Sequence, residues 1–205
     1  MEYDKLASKE IVNKTIEALN KRNIKGLLVE TGADAFEKIK ELIPKKASVM
    51  NGSSRTLDQI GFIDYLKSNK HGWNNLHEAI VNEKNQEKQA MLRKQAVLSD
   101  YYLGSVHALA QTGEFIIASN TGSQFPHIVF TSPNIIFVVS TKKIVPTLQD
   151  AMERLEKYVV PLEDKRMMTQ YGSGTALNKM VIFKGENKMI GRKILLILVN
   201  EDLGF

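Results

Sequence analysis

Apolar positions along the chain come in two textures that change near Ser99. Before it, spacing is mostly helical. Ser8 is placed to cap a helix running to about Leu19, in which Ile11, Ile16, Ala18 and Leu19 share one stripe above a charged face. Residues 24–29 then read as a buried strand, 33–43 as an amphipathic helix and 47–50 as a second short strand, together a β-α-β unit. A helix over 56–67 follows directly. Gly72-Trp73-Asn74-Asn75 breaks the pattern before a long charged helix over 76–97, whose wholly polar stretch 82–88 predicts a kink.

From Ser99 onward, short apolar segments alternate with Gly, Ser, Thr and Asn, as where strands deliver loops to a site. Residues 116–118 and 135–139 are β-branched runs with little alternation, the pattern of central strands covered on both faces. A parallel or mixed sheet is therefore expected. Leu148, Ala151, Met152 and Leu155 recur at helical spacing over 147–158, and Pro161 is expected to end that helix. The tail holds apolar segments 180–183 and 194–199 around Gly185-Glu186-Asn187-Lys188, readable as a hairpin or as two pieces of a terminal sheet.

The 205 residues suit one domain, which at this size hides about 70% of the surface of its unfolded chain. The absence of cysteine excludes disulfides, thiolate zinc, cysteine-ligated iron–sulfur clusters and a cysteine nucleophile. No apolar run approaches 18 residues, so no membrane span is expected. Met1-Glu2-Tyr3-Asp4-Lys5 lacks a signal pattern, and the expected compartment is the cytoplasm. Net charge is +5, from 28 basic and 23 acidic side chains. The basic residues are scattered and no aromatics interleave with them, which argues against a nucleic-acid partner. His71, His77, His107 and His127 show no metal-ligand spacing, so no metal site is expected.

Candidate chemistry lies in loops. Asn51-Gly52-Ser53-Ser54-Arg55-Thr56 sits at a strand-to-helix junction, where free amides and small hydroxyls suit a phosphate or carboxylate and Arg55 adds charge; a capped turn explains it equally. It has neither the lysine of a P-loop nor the spacing of a dinucleotide fingerprint. Asn120-Thr121-Gly122-Ser123 leaves another strand end and reads as a second anion cradle. Asp100 is either a cap or a general base, and Glu114 either a turn residue or a carboxylate aimed into a crevice. His107 is a hydrogen-bonded core imidazole or a proton donor, and Lys143 a surface lysine or an anion ligand. Tyr171-Gly172-Ser173-Gly174-Thr175 suits a lid or a plain connector.

Taken together, Asn51-Gly52-Ser53-Ser54-Arg55-Thr56-Leu57, Asp100-Tyr101-Tyr102-Leu103-Gly104-Ser105-Val106-His107-Ala108, Thr112-Gly113-Glu114, Thr141-Lys142-Lys143-Ile144-Val145, Asp150-Ala151 and Asn200-Glu201-Asp202-Leu203-Gly204 resemble the LUD domain, the lactate-utilisation family of LutC- and YkgG-like proteins. The resemblance spans nearly the whole chain. It implies one domain over 1–205, with residues 1–22 as a helical extension and 170–205 as completing strands. The implied fold is a NagB/RpiA/CoA-transferase-like three-layer α/β domain, with a central mostly parallel sheet and strand-end loops around a ligand crevice.

In that wider superfamily the run from Asp100 to Gly122 is similar to the methylthioribose-phosphate isomerase branch, which marks Asp100 as a catalytic or ligand-orienting carboxylate. CoA-transferases of the fold use a glutamate nucleophile, which marks Glu114 as a further catalytic candidate beside His107. The ligand-binding residues implied are Asn51, Gly52, Ser53, Ser54, Arg55, Gly104, Asn120, Thr121, Gly122, Ser123 and Lys143. Many relatives carry Asn where His107 stands, and one branch has a cysteine-rich stretch near residues 171–179 that is absent here. The resemblance thus implies binding of a small anionic or phosphate-bearing metabolite and an accessory role in L-lactate oxidation. Iron–sulfur partner subunits would supply the redox centres, the chain's own cofactor stays unknown, and a homodimer is allowed. The alternative is an independent sugar-phosphate isomerase or CoA/acyl transferase using Asp100.

Overall fold

The computed structural model describes residues 2–205; Met1, which opens the N-terminal stretch read above, lies outside the described residues. Helix α1 (Lys9–Lys21) is capped by Ser8, whose side chain accepts the Ile11 N–H. Strand β1 (Lys25–Val29) and helix α2 (Gly32–Leu42) follow, and Thr31 and Asp34 close a reciprocal capping box at the helix start. Strand β2 (Ser48–Asn51) completes the expected β-α-β unit. The helix expected over 56–67 is divided into α3 (Arg55–Gln59) and α4 (Phe62–Lys67) by Gly61, whose φ of 78° only glycine adopts cheaply. After the two-residue β3 (Asn74–Asn75), the expected long helix is divided into α5 (Leu76–Asn82) and α6 (Gln86–Gln95), with Asn85 capping the second piece inside the polar stretch.

The second half contributes β4 (Tyr101–Gly104), β5 (Ala108–Ala110), β6 (Phe115–Ser119), β7 (Asn134–Ser140), the short β8 (Ile144–Val145), β9 (Lys179–Phe183) and β10 (Lys193–Val199). Pro161 does not end the helix that starts after Thr147. Helix α7 (Leu148–Arg154) passes through a π turn (Leu155–Val159) into α8 (Val160–Tyr171), with Pro161 in the first turn of the last piece. The wider turn takes up the lost N–H without breaking the axis, and the carbonyl that Pro161 would have bonded belongs to solvent-exposed Lys157.

Six strands form an all-parallel sheet in the order β1-β10-β7-β4-β2-β3. One face packs on α2, α3 and α4 through Ile136, Val138, Ile197 and Val199. The opposite face, through Ile135, Phe137, Leu196 and Leu198, packs on α1 and on a second sheet. The central sheet therefore lies between two covering layers, as expected of a three-layer α/β domain. The second sheet, ordered β8-β5-β6-β9, is mixed: β6 runs antiparallel to both β5 and β9. Its far face is covered by α7 and the π turn through Ala151, Leu155 and Val159. Residues 116–118 thus belong to the second sheet and not to the central one. The two tail segments are pieces of different sheets. Among the described residues, no helix is long and apolar enough to cross a membrane.

Candidate functional site

In a parallel sheet all carboxyl ends point the same way, so the loops after β2, β4, β7 and β10 emerge together. Four of the motifs singled out in the sequence are these loops: residues 52–56, 105–107, 141–143 and 200–204. They face the second sheet, the π turn and α8 across a crevice of about 410 Å³. Gly52, Ser53, Ser54, Arg55, Gly104, His107, Asn120, Thr121, Ser123 and Lys143 line it, as do Thr56, Ser105 and Gly204.

Lys143 is the centre of the polar end. It is 3% exposed, and its Nζ donates to Ser105 Oγ (3.0 Å), Thr56 Oγ1 (3.2 Å) and the Val106 carbonyl (3.2 Å). All three acceptors are neutral. Burial pushes the ammonium well below the usual lysine range, and the nearby Arg154 and Lys142 charges push the same way. Lys142, by contrast, turns to an ion pair with Asp202. Gly204 closes over this point with φ of 64°; a side chain there would overlap Thr56 and crowd the Lys143 ammonium.

Arg154 adds a second buried cation beneath the crevice, donating to the His107 (2.5 Å), Tyr3 (3.3 Å) and Phe205 (3.4 Å) carbonyls, with Nε unpartnered among the described residues. Burial lowers its pKa to about 10. His107 stands between the two cations. Its Nδ1 accepts the Ala118 N–H at 3.1 Å, so the neutral ring holds its proton on Nε2. Burial first, and then Lys143 and Arg154, lower its pKa to about 3. His107 is thus a neutral hydrogen-bond donor at neutral pH.

The two small-polar loops differ. At the first, the Gly52 N–H continues the strand ladder to the Leu103 carbonyl (3.2 Å) and the Ser54 hydroxyl accepts the Leu57 N–H (3.3 Å). The amides of Ser53, Ser54 and Arg55 find no acceptor among the described residues. At the second, the Gly122 N–H is taken by Ser119 Oγ (2.9 Å) and the Ser123 N–H by Thr121 Oγ1 (3.3 Å). Half of the second cradle expected from sequence is therefore taken by its own hydroxyls, the Asn120 and Thr121 amides find no acceptor among the described residues, and the Asn120 side chain is tied to Asn178 (2.6 Å). Asn51 ends β2 buried, with its amide donating to the Gly52 carbonyl (3.2 Å), and lies behind the crevice wall.

Asp100 and Glu114 are not brought to the crevice. Asp100 lies at the amino end of β4, where its carboxylate accepts the Ser48 N–H (2.8 Å) and hydroxyl (2.7 Å), bonds that hold its pKa below the usual aspartate value. Glu114 ties the β5–β6 turn to the end of α1 through Arg22 (2.5 Å) and accepts from Thr112 within the turn (2.5 Å). Both geometries are those of structural carboxylates. The segment after Tyr171 forms one wall of the crevice, held by the Thr175 N–H on Asp164 (2.7 Å).

Sequence reasoning missed Thr56, Ser105 and Gly204, although each lies inside a motif it had noted, and it missed Arg154 and the aliphatic wall of Leu155, Val159 and Leu177. The glycine closing Asn200-Glu201-Asp202-Leu203-Gly204 was the available signal for the first group. Arg154 reads in sequence as one more charge on a surface helix.

Comparison with known proteins agrees with this architecture. No curated protein matches the chain. Among solved structures, a DUF162 family protein from Deinococcus radiodurans is similar at a TM-score of 0.56, with 12% identity over 95% of this chain and 99% of that one. That likeness is one of fold. The sequence model of the LUD domain matches residues 12–191, which include the crevice loops after β2, β4 and β7, and the chain belongs to the LUD domain family.

Proposed function

We propose that this lactate-utilisation-type protein binds a small anionic or phosphate-bearing metabolite at the carboxyl end of the central sheet. The observation that carries this reading is Lys143: a buried amine with only neutral oxygens around it, at the edge of an open crevice, whose charged form an anion in the crevice would favour. A buried charge without a counter-ion costs several kcal/mol, which an anion in the crevice offsets. Thr56 and Ser105 accept from Lys143 and donate onward over 3.4 Å each, Thr56 to Ser105 and Ser105 to the Val106 carbonyl, long bonds that a guest oxygen nearer the hydroxyls would replace. The free amides of Ser53, Ser54 and Arg55, the Arg55 guanidinium and the neutral His107 donor add to this side. Among the described residues, the side-chain carboxylate lining the crevice is that of Glu163, which is held by Arg166 (2.6 and 2.7 Å).

In this reading the protein is an accessory subunit of L-lactate oxidation, working in the cytoplasm with iron–sulfur partner chains. Support comes from the family and from the lack of cysteine, which denies this chain a cysteine-ligated cluster. The isolated protein should then reduce no acceptor dye with L-lactate, and adding the iron–sulfur partners should restore turnover. Full activity from the isolated chain would overturn the accessory role.

A further inference from the structure

The crevice is chemically divided along the architecture that builds it. Its central-sheet side is polar and cationic, with Lys143, Thr56, Ser105 and the amides after Gly52. Its other side is aliphatic: Leu155, Val159 and Val160 come from the π turn and the start of α8, Met167 from the next turns of α8, and Leu177 from the segment leading to β9. Leu155 and Val159 are shared with the core under α7, whereas Val160, Met167 and Leu177 are only half-buried, leaving apolar surface open to the crevice. The π turn matters because one extra residue in the helix rotates the following side chains relative to those before it.

Size points the same way. A volume of about 410 Å³ equals roughly 14 water-sized volumes at ~30 Å³ each. A three-carbon hydroxy acid has only six non-hydrogen atoms and would leave the aliphatic side wet.

We propose that the crevice takes an amphipathic anion: a carboxylate or phosphate head on the Lys143 side and an aliphatic body longer than three carbons along Val160, Met167 and Leu177. This rests on the anion-binding reading above and narrows it to a ligand class that free lactate does not meet. The test is a titration of the full chain, followed by ligand-observed NMR, with acetate, butyrate, hexanoate and octanoate. Inorganic phosphate, butyl phosphate and octyl phosphate form the second arm and identify the preferred head.

Each methylene added should tighten binding about fourfold until the aliphatic wall is covered. The substitution Leu177→Asn should weaken octanoate about tenfold. If acetate or inorganic phosphate binds but affinity does not change with chain length, the amphipathic class is wrong and the anion reading stands. If no member of either series binds, both fail. An unchanged octanoate affinity in Leu177→Asn overturns the placement of the aliphatic body.

Discussion

The loops Gly52-Ser53-Ser54-Arg55 and Asn120-Thr121-Gly122-Ser123 have similar composition and face the same crevice, yet their own hydroxyls take up different amides. The first follows a parallel strand and leads straight into α3, whose opening amides have no acceptor within the helix, so those of Ser53, Ser54 and Arg55 stay open among the described residues. The second turns back on itself through Gly122 at φ of 83°, and Ser119 and Thr121 cap the Gly122 and Ser123 amides at its tip. Small polar residues therefore do not by themselves make an anion cradle. What decides is whether a hydroxyl two or three residues away reaches the amide first. The buried lysine lies under the open loop.

The largest effect that sharpens this contrast is acid sensitivity at His107, whose ring holds the Ala118 amide just before the closed loop. Its folded pKa of about 3 lies below the unfolded value of about 6.5, so between those pH values the unfolded chain binds the extra proton. Stability contributed by the neutral ring is complete above pH 6.5 and is lost as pH falls toward 3. Denaturant melts should show His107 alone contributing a loss of about 2–3 kcal/mol from pH 6.5 to 4.5. His107→Asn, whose side-chain oxygen can accept the Ala118 N–H without titrating, should reduce that loss by a similar amount. An unchanged acid limb in the variant would remove His107 from the account.

Next in size are the two glycines. In Gly52→Ala the new methyl would overlap the Tyr102 hydroxyl, which is buried and bonded to Gln124 (3.3 Å), and the expected cost is about 2 kcal/mol. Gly122→Ala meets only the flexible stem of Lys179 and carries the left-handed penalty of about 1 kcal/mol. Equal costs would contradict the packing difference between the loops. Ser119→Ala should cost about 1 kcal/mol and, by freeing the Gly122 amide, should not weaken anion binding, whereas adding positive potential there should not be needed for it. A Ser119→Ala loss of anion affinity would show that the closed loop is itself part of the cradle.

The smallest effect expected is at Asp100. It is solvent-exposed and bonded to Ser48 at the opposite end of the sheet, so Asp100→Asn should change stability at pH 7 by a few tenths of a kcal/mol and leave anion titrations unaltered. A loss of binding or turnover in that variant would restore the isomerase-like alternative.

Much of the fold was legible because local signals agreed with it. Ser8, Thr31 and Thr147 cap the helices that the apolar spacing places, and residues 135–139 lie inside a central strand buried on both faces. Residues 116–118 misled because they are also covered on both faces, by the central sheet on one side and α7 on the other, and a continuous apolar run does not encode strand direction. Pro161 misled because a π turn upstream accommodates it.

At the site, loop composition located the first cradle and Lys143, because a seven-residue apolar strand delivers whatever follows it to the carboxyl edge. The sequence was silent on which amides stay open, on the burial of Arg154 and on the aliphatic wall, all of which depend on contacts between distant segments. It pointed to Asp100 through a motif whose first residue sits at the amino end of the strand, while the residues that reach the crevice come four and more positions later.

The most direct test of the central claim is the affinity of inorganic phosphate for the native chain and for Lys143→Met, measured by titration under identical salt. The account predicts saturable, salt-sensitive binding that weakens at least about thirtyfold, roughly 2 kcal/mol, when the buried ammonium is removed and the fold is retained. Equal affinities in the two proteins would contradict it.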